Sequence, residues 1–348
     1  MTPASPASSG SPGSPGSLGG ALAQLGDDPV LNHRVLQELL DSQPPGKLEL
    51  PPGNHRLAEG LRVPGGWTVR GSSVADTWLI SESRTGHPVL HVLGSDVAIS
   101  DLGLRPAPAD PGEHGGDRGT GLTIGEYLYA GTPEWISDVD VRRVHVDHGP
   151  LRTANAIGVM GAVRAVTLHD VLITGGYTGV AVHWGAAGAD VSSITGPTYH
   201  PHQLTVSDLR VRDAIEGFYL SSVHNVRVTG ACLRDVEMGF RLLPGDNTNR
   251  FVSSSEDVGA RIEVEDVCVR WTGPRYAVRI AGWGRSEVDG VISVLAYRDS
   301  TVRNCRLAGT GTGDDWSPVR FERASGVELR DITVSTTAGD CCRLGVPD

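Results

Sequence analysis

One eight-residue unit recurs along this chain and limits what it can fold into more than any other feature. The unit is apolar at positions 1, 3, 6 and 8 and carries Asp or Asn at position 5, as in Val97-Ala-Ile-Ser-Asp101-Leu-Gly-Leu104, Val166-Thr-Leu-His-Asp170-Val-Leu-Ile173 and Leu204-Thr-Val-Ser-Asp208-Leu-Arg-Val211. It returns at 262–269, 300–307 and 327–334, and variants at 139–146 and 226–233 place Arg143 and Gly230 at the fifth position. Successive fifth positions stand 42, 27, 38, 22, 36, 38 and 27 residues apart, which implies a basic coil of about 22 to 27 residues with insertions in the longer intervals.

Each unit reads as two period-2 strands hinged at a residue that tolerates a left-handed conformation, as a tight corner requires. A third strand precedes it, a small residue followed by apolar-x-apolar: Gly121-Leu-Thr-Ile124, Gly179-Val-Ala-Val182, Gly217-Phe-Tyr-Leu220, Gly239-Phe-Arg-Leu242 and Ala277-Val-Arg-Ile280. Three short strands per turn, stacked at about 4.8 Å, make a parallel β-helix with apolar ladders inside. Composition agrees: 46 Gly and 22 Pro against 5% aromatics suit short strands and turns better than a helical bundle.

The pattern resembles right-handed parallel β-helix proteins of the pectate-lyase-like superfamily. The N-terminal region adds to the likeness. Residues 30–42 read as an amphipathic helix, followed by Pro44-Pro-Gly-Lys-Leu-Glu-Leu-Pro-Pro-Gly53 and a first coil at 63–72. The resemblance implies an all-β, single-stranded right-handed parallel β-helix of about 9–10 coils with an N-terminal capping helix that covers the open coil end. The expected organisation is a disordered Pro/Ser/Gly-rich tail over residues 1–27 and a β-helix domain over 28–348. Reaction type is open, because the superfamily includes lyases, hydrolases, epimerases and adhesive fibres.

The repeat reassigns most of the carboxylates. Asp101, Asp170, Asp208, Asp266, Asn304 and Asp331 are expected as corner residues, not acid pairs. Cys232 and Cys268 share the seventh position of successive units and are expected to stack, with Cys305 inward; no Cys-x-x-Cys spacing suggests a metal. The formal charge of −11 argues against a phosphate-held nucleic acid. No run of 18 apolar residues offers a membrane span, and the N-terminus lacks a secretory signal pattern, so the expected location is cytoplasmic.

Outward positions of the third strand form the expected cleft: His91, Thr123, Gly158, Ala181, Tyr219, Arg241, Arg279, Arg320 and Arg343. Arg241, Arg279 and Arg320 are candidate substrate-carboxylate ligands, joined by Glu216 and Trp283 as substrate-binding residues. The competing reading pairs these arginines with loop acids such as Glu216, Glu237, Asp314, Asp315 and Glu322. The small residues Gly158 and Ala181 are expected to leave room beside Tyr219 for a sugar ring. His183, Tyr219 and the loop residues Tyr199, His200 and His202 are the candidate acid/base groups. Insertions over 184–203, 243–261 and 282–299 follow the cleft strand and are expected to wall it.

Tyr199-His-Pro-His202 is similar to the Tyr-Gly-Phe-Asp-Pro-His stretch of mannuronan C5-epimerases, with Pro201 and His202 matching and His200 at the aspartate position. Gly313-Asp-Asp315 with Asp340 is similar to the Gly-Asp-Asp segment of polygalacturonases, a hydrolase alternative that needs two carboxyl groups at a defined separation. The leading expectation is an enzyme acting on an anionic, uronate-like saccharide or a carboxylated small molecule by lyase or C5-epimerase-type proton abstraction. The alternatives are a cyclase, isomerase or dehydratase on the same scaffold, and a noncatalytic carbohydrate-binding solenoid. No cofactor is expected, although Asp246 and Asp257 could hold a bridging calcium ion.

Overall fold

The computed structural model describes residues 18–84, 86–108, 119–189, 194, 197–221, 223–243, 259–273, 276–281, 285–288, 291–294, 297–309, 317–322 and 324–335. It is a parallel β-helix. Among the described residues the strands fall into a fifteen-stranded sheet, here the corner sheet, and a nine-stranded sheet, here the ladder sheet, with two smaller sheets outside the helix.

The corner sheet is the eight-residue unit stacked on itself. Val97 pairs with Val139, Val139 with Val166, Val166 with Leu204, Leu204 with Val226 and Val226 with Ile262, so one apolar position repeats through successive coils. A second ladder runs Ile99, Val141, Leu168, Val206, Val228, Val264. All of these side chains are buried, and they join one continuous core that reaches from the capping helix to Leu307. Each such Val, Leu or Ile contributes about 1.5–3 kcal/mol by leaving water.

The corners confirm the reading of the fifth position. Asp101, Arg143, Asp170, Asp208, Asp266, Asn304 and Asp331 have φ between 49 and 59°, and Gly230 has φ 67°. Arg143 is the unexpected occupant, since a long side chain gains nothing in left-handed backbone. Its guanidinium grips Asp101 of the neighbouring coil, with Nε 2.5 Å from Oδ1 and Nη2 3.0 Å from Oδ2, while Arg70 approaches the same carboxylate at 3.1 Å. The hydrogen bond from Arg143 holds the Asp101 carboxyl below its usual range. A second left-handed column stands five residues earlier, at Asp96, Asp138, Ala165, Gln203, Asn225, Arg261, Asp299 and Gly326.

The helix expected at 30–42 spans Pro29–Ser42, started by Asp28, whose side chain accepts hydrogen bonds from the Val30 and Leu31 amides. Leu36, Leu39 and Leu40 are buried on its inner face and close the first coil. Cys232 and Cys268 are register partners, and both are buried, as is Cys305.

Candidate functional site

The ladder sheet carries the outward row in register. Arg62 pairs with His91, then Thr123, Gly158, Ala181, Tyr219, Arg241, Arg279 and Arg320 follow strand by strand. Arg62 extends the expected row by one coil. Arg343, together with Trp283, Asp314, Asp315, Asp340, Asp246 and Asp257, lies outside the residues whose side chains are described, so the hydrolase pair and the calcium pair have no described geometry.

Tyr219 and Arg241 form the centre of the row. On the inner side of the same two strands, Phe218 and Phe240 stack with centroids 4.6 Å apart and planes at 5°, which fixes the register. On the outer side the Arg241 guanidinium consequently lies over the Tyr219 ring, 4.1 Å from its centroid. Glu216 supplies the counter-charge. A Cβ at Gly217 would stand 2.5 Å from Leu233 Cδ1 and 2.7 Å from the Gly239 carbonyl oxygen, so only glycine lets the strand beside Glu216 approach the next coil this closely. The Glu216 side chain is 1% exposed and that of Arg241 25%; Nε donates to Oε2 at 3.1 Å and Nη2 lies 2.7 Å from Oε1.

The next two rungs are also paired. Glu322 bridges Arg279, at 3.2 Å, and Arg320, at 2.6 Å, and both guanidinium groups lie within 5.6 Å of the Tyr276 ring centroid. The hydrogen bond from Arg279 is the main cause that keeps the Glu322 carboxyl below its usual range. The pairing of ladder arginines with loop acids is thus realised for Glu216 and Glu322, whereas Glu237 faces Arg152 instead.

An aromatic wall stands beside Tyr219. The insertion after the cleft strand places Gly185–Ala187 between Leu128–Tyr129 and Thr198–Tyr199 in a small three-stranded sheet. Trp184 is fully buried against Tyr127, and the His183 ring lies 5.2 Å from Tyr127 and 6.1 Å from Tyr219. His183 Nδ1 is 3.1 Å from the Trp184 carbonyl oxygen and therefore donates to it, which puts the lone pair of the neutral ring on Nε2.

The loop candidates belong to a different cluster, which corrects the expectation of one combined acid/base set. His202 sits on the corner sheet in register with His224, their rings stacked at 4.8 Å, with Trp135 at 5.0 Å from His202. Tyr199 is buried between Tyr129 and Trp135, and His200 is fully buried with Nε2 2.9 Å from Thr198 Oγ1. Burial of Tyr199 and His200 removes them from direct reach of a ligand on the ladder face. The recess expected at Gly158 and Ala181 is also filled. Met160 folds back, its methyl 3.1 Å from where a Gly158 Cβ would stand, and Thr123, Ala181 and Met160 are all at most 4% exposed.

Tyr127, Tyr129 and Trp135 escaped the sequence reading because they lie outside the repeat, and Met160, in register with His183 at the end of a ladder strand, carries no chemistry that marks it. The signal was present in Glu126-Tyr-Leu-Tyr129, which follows a cleft strand just as the 184–203 insertion does. Burial pushes the Tyr129 phenol up to about 12, so it stays protonated while accepting from the Ala162 amide at 2.7 Å. Among the described residues no cluster of His, Cys, Asp and Glu is arranged to hold a metal ion, and no helix is long and apolar enough to cross a membrane.

No family model and no curated protein matches the chain. Solved structures do match. The enzymatically active domain of bacteriophage CBA120 tailspike protein 2 aligns over 86% of this chain at 12% identity and a TM-score of 0.52, and this chain spans 40% of that domain's length. An A-module of an Azotobacter vinelandii mannuronan C-5 epimerase aligns over 90% of this chain and 95% of its own at 14% identity and a TM-score of 0.39. A hyperthermoactive exopolygalacturonase from Thermotoga maritima aligns over 88% of each chain at 13% identity and a TM-score of 0.42. At identities this low the tailspike likeness speaks to fold alone, and it agrees with the register above: the chain is a right-handed parallel β-helix.

Proposed function

We propose that the ladder face binds an anionic saccharide or a related carboxylated substrate and removes the proton on the carbon next to its carboxylate. The observation that carries this reading is the unbroken run His183, Tyr219, Arg241 on one outer face, with Glu216 fixing the arginine from behind. His183 is the base in this reading, imidazole being a side chain suited to taking a proton from carbon. Arg241 keeps Nη1 for a substrate carboxylate after Nε and Nη2 are engaged by Glu216, and it stabilises the enolate-like charge that develops when the proton leaves. The Tyr219 hydroxyl is the acid. It returns a proton to the opposite face in an epimerase, or protonates the departing glycosidic oxygen as the new carbon–carbon double bond forms in a lyase.

The test uses uronate polymers and oligosaccharides, following the far-ultraviolet absorbance of unsaturated sugar for elimination and the epimer ratio by proton NMR. Tyr219→Phe and His183→Gln are each expected to lower kcat about 10²- to 10⁴-fold with little change in KM. Turnover untouched by either substitution would refute the assignment. A second reading, a noncatalytic saccharide-binding face, is favoured by the carboxylate partners of Arg241, Arg279 and Arg320. Binding without turnover on any uronate would select it.

A further inference from the structure

A groove of about 600 Å³ lies at the N-terminal end of the ladder face, where the Pro29–Ser42 helix meets the first coils. Its frame is locked. Gln37 donates to Asp41 Oδ1 at 2.9 Å and to the Arg62 carbonyl at 3.1 Å, and accepts from the Arg62 amide at 2.9 Å. His33 Nδ1 is 3.1 Å from the Glu59 carbonyl oxygen, and His91 Nε2 is 2.9 Å from the Gly125 carbonyl oxygen.

The charged groups of the groove are arranged unlike those elsewhere. Arg70, Arg143, Arg210, Arg241, Arg279 and Arg320 each lie within 4.0 Å of a carboxylate. Arg62 lines the groove with Glu59, Asp41 and Glu126 around it, yet no ion pair joins them among the described residues. The side chains of His87, Glu59 and Glu126 likewise have no hydrogen-bond partner among the described residues. Donors and acceptors are therefore interspersed and held apart, which suits a ligand whose groups both donate and accept. Hydroxyls do both. Three carboxylates against one guanidinium weight the lining toward negative charge, which disfavours an anion.

We infer that this groove is a binding subsite for a neutral, hydroxyl-rich sugar unit. Its first outward residues, Arg62 and His91, belong to the same row as Tyr219. His91 is four rungs from Tyr219, about 19 Å at the spacing of parallel strands. The lining residue Glu126 is followed in the chain by Tyr127, whose ring packs on His183, which places the groove and the proposed reaction centre on either side of the same aromatic wall. Resting on the function proposed above, the inference names the substrate further: a mixed oligosaccharide with its uronate over Tyr219 and Arg241 and neutral units extending toward the capping helix.

Calorimetric titration of the full-length protein with neutral gluco-, manno- and galacto-oligosaccharides and with oligogalacturonates of matched length tests it. At least one neutral series should bind, and Arg62→Ala and Glu126→Gln should each weaken it about tenfold, the equivalent of one lost charged hydrogen bond. Hydrogen-exchange protection by that probe should map to Pro29–Ser42 and Leu90–Val92 and persist in Tyr219→Phe. No neutral binding, binding unchanged in both variants, or a preference for the uronate series that Arg62→Ala removes would each overturn the inference. Because Tyr219→Phe is expected to lower turnover and leave groove binding intact, failure of the subsite and failure of the proposed reaction are read separately.

Discussion

Replacing Arg241 by alanine should unfold the protein more readily before it reveals anything about chemistry. The Glu216 side chain is 1% exposed and has Arg241 in two-point contact, at 3.1 and 2.7 Å. Removing the guanidinium takes a two-point charged contact away from a buried carboxylate, a change that costs about 3–5 kcal/mol in comparable pairs. Arg241 is itself 25% exposed, so water can enter the vacated space and the lower end, about 3 kcal/mol, applies. An unfolding entropy of about 2.1 cal/mol/K per residue over 348 residues gives about 0.7 kcal/mol per degree, hence a fall in Tm of about 4 °C. Glu216→Gln in the same chain removes the buried negative charge at nearly constant volume. The double variant should therefore be about 1–2 kcal/mol more stable than Arg241→Ala alone. Calorimetry or denaturant titration of the four proteins closes the cycle. An Arg241→Ala variant within 0.5 kcal/mol of the parent, a tolerance set by the accuracy of additivity, or a Glu216→Gln change that adds to the loss, would refute the buried-pair argument.

Three further outcomes follow from the same coordinates. His148 is buried and its imidazole is drawn down to about 4 by desolvation; its folded value lies below the ordinary 6.5, so stability is lost as pH falls through 6.5 toward 4, by about 2 kcal/mol between pH 7.5 and 5, and His148→Gln should remove that part of the slope. At the exposed corner Asp266, φ 55°, Asn should be tolerated while Val costs roughly 1–2 kcal/mol by denaturant titration, because a β-branched side chain is strained in left-handed backbone. Leu168→Ala, in the middle of an inner ladder between Val141 and Val206, should cost about 2–5 kcal/mol without altering the secondary structure seen by circular dichroism.

The coil architecture was legible because its signal is periodic. Inner positions recur with the same chemistry, and the fifth-position corner is conspicuous since Asp and Asn dominate it. The second left-handed column, from Asp96 to Gly326, was not legible, because Ala165, Gln203 and Arg261 share it with Asp and Asn and leave no consistent residue type. Strand alternation sufficed to align Tyr219 with Arg241 on one face. Alternation says nothing about what covers a rung, so the filling of the Gly158 position by Met160 and the burial of His200 and Tyr199 could not be read. The pairing of Glu216 with a ladder arginine was among the sequence alternatives, but that its carboxylate is almost fully buried behind Arg241 was not, because alternation does not report depth.

The most direct test of the account is proton NMR of uronate oligosaccharides incubated with the protein in deuterium oxide, measuring exchange at the carbon next to the carboxylate. Both elimination and epimerisation begin by breaking that bond. The account predicts deuterium incorporation or loss of that signal with the parent protein, reduced at least a hundredfold in His183→Gln. Bound uronate that keeps its proton indefinitely, or exchange that proceeds equally well without His183, would contradict it.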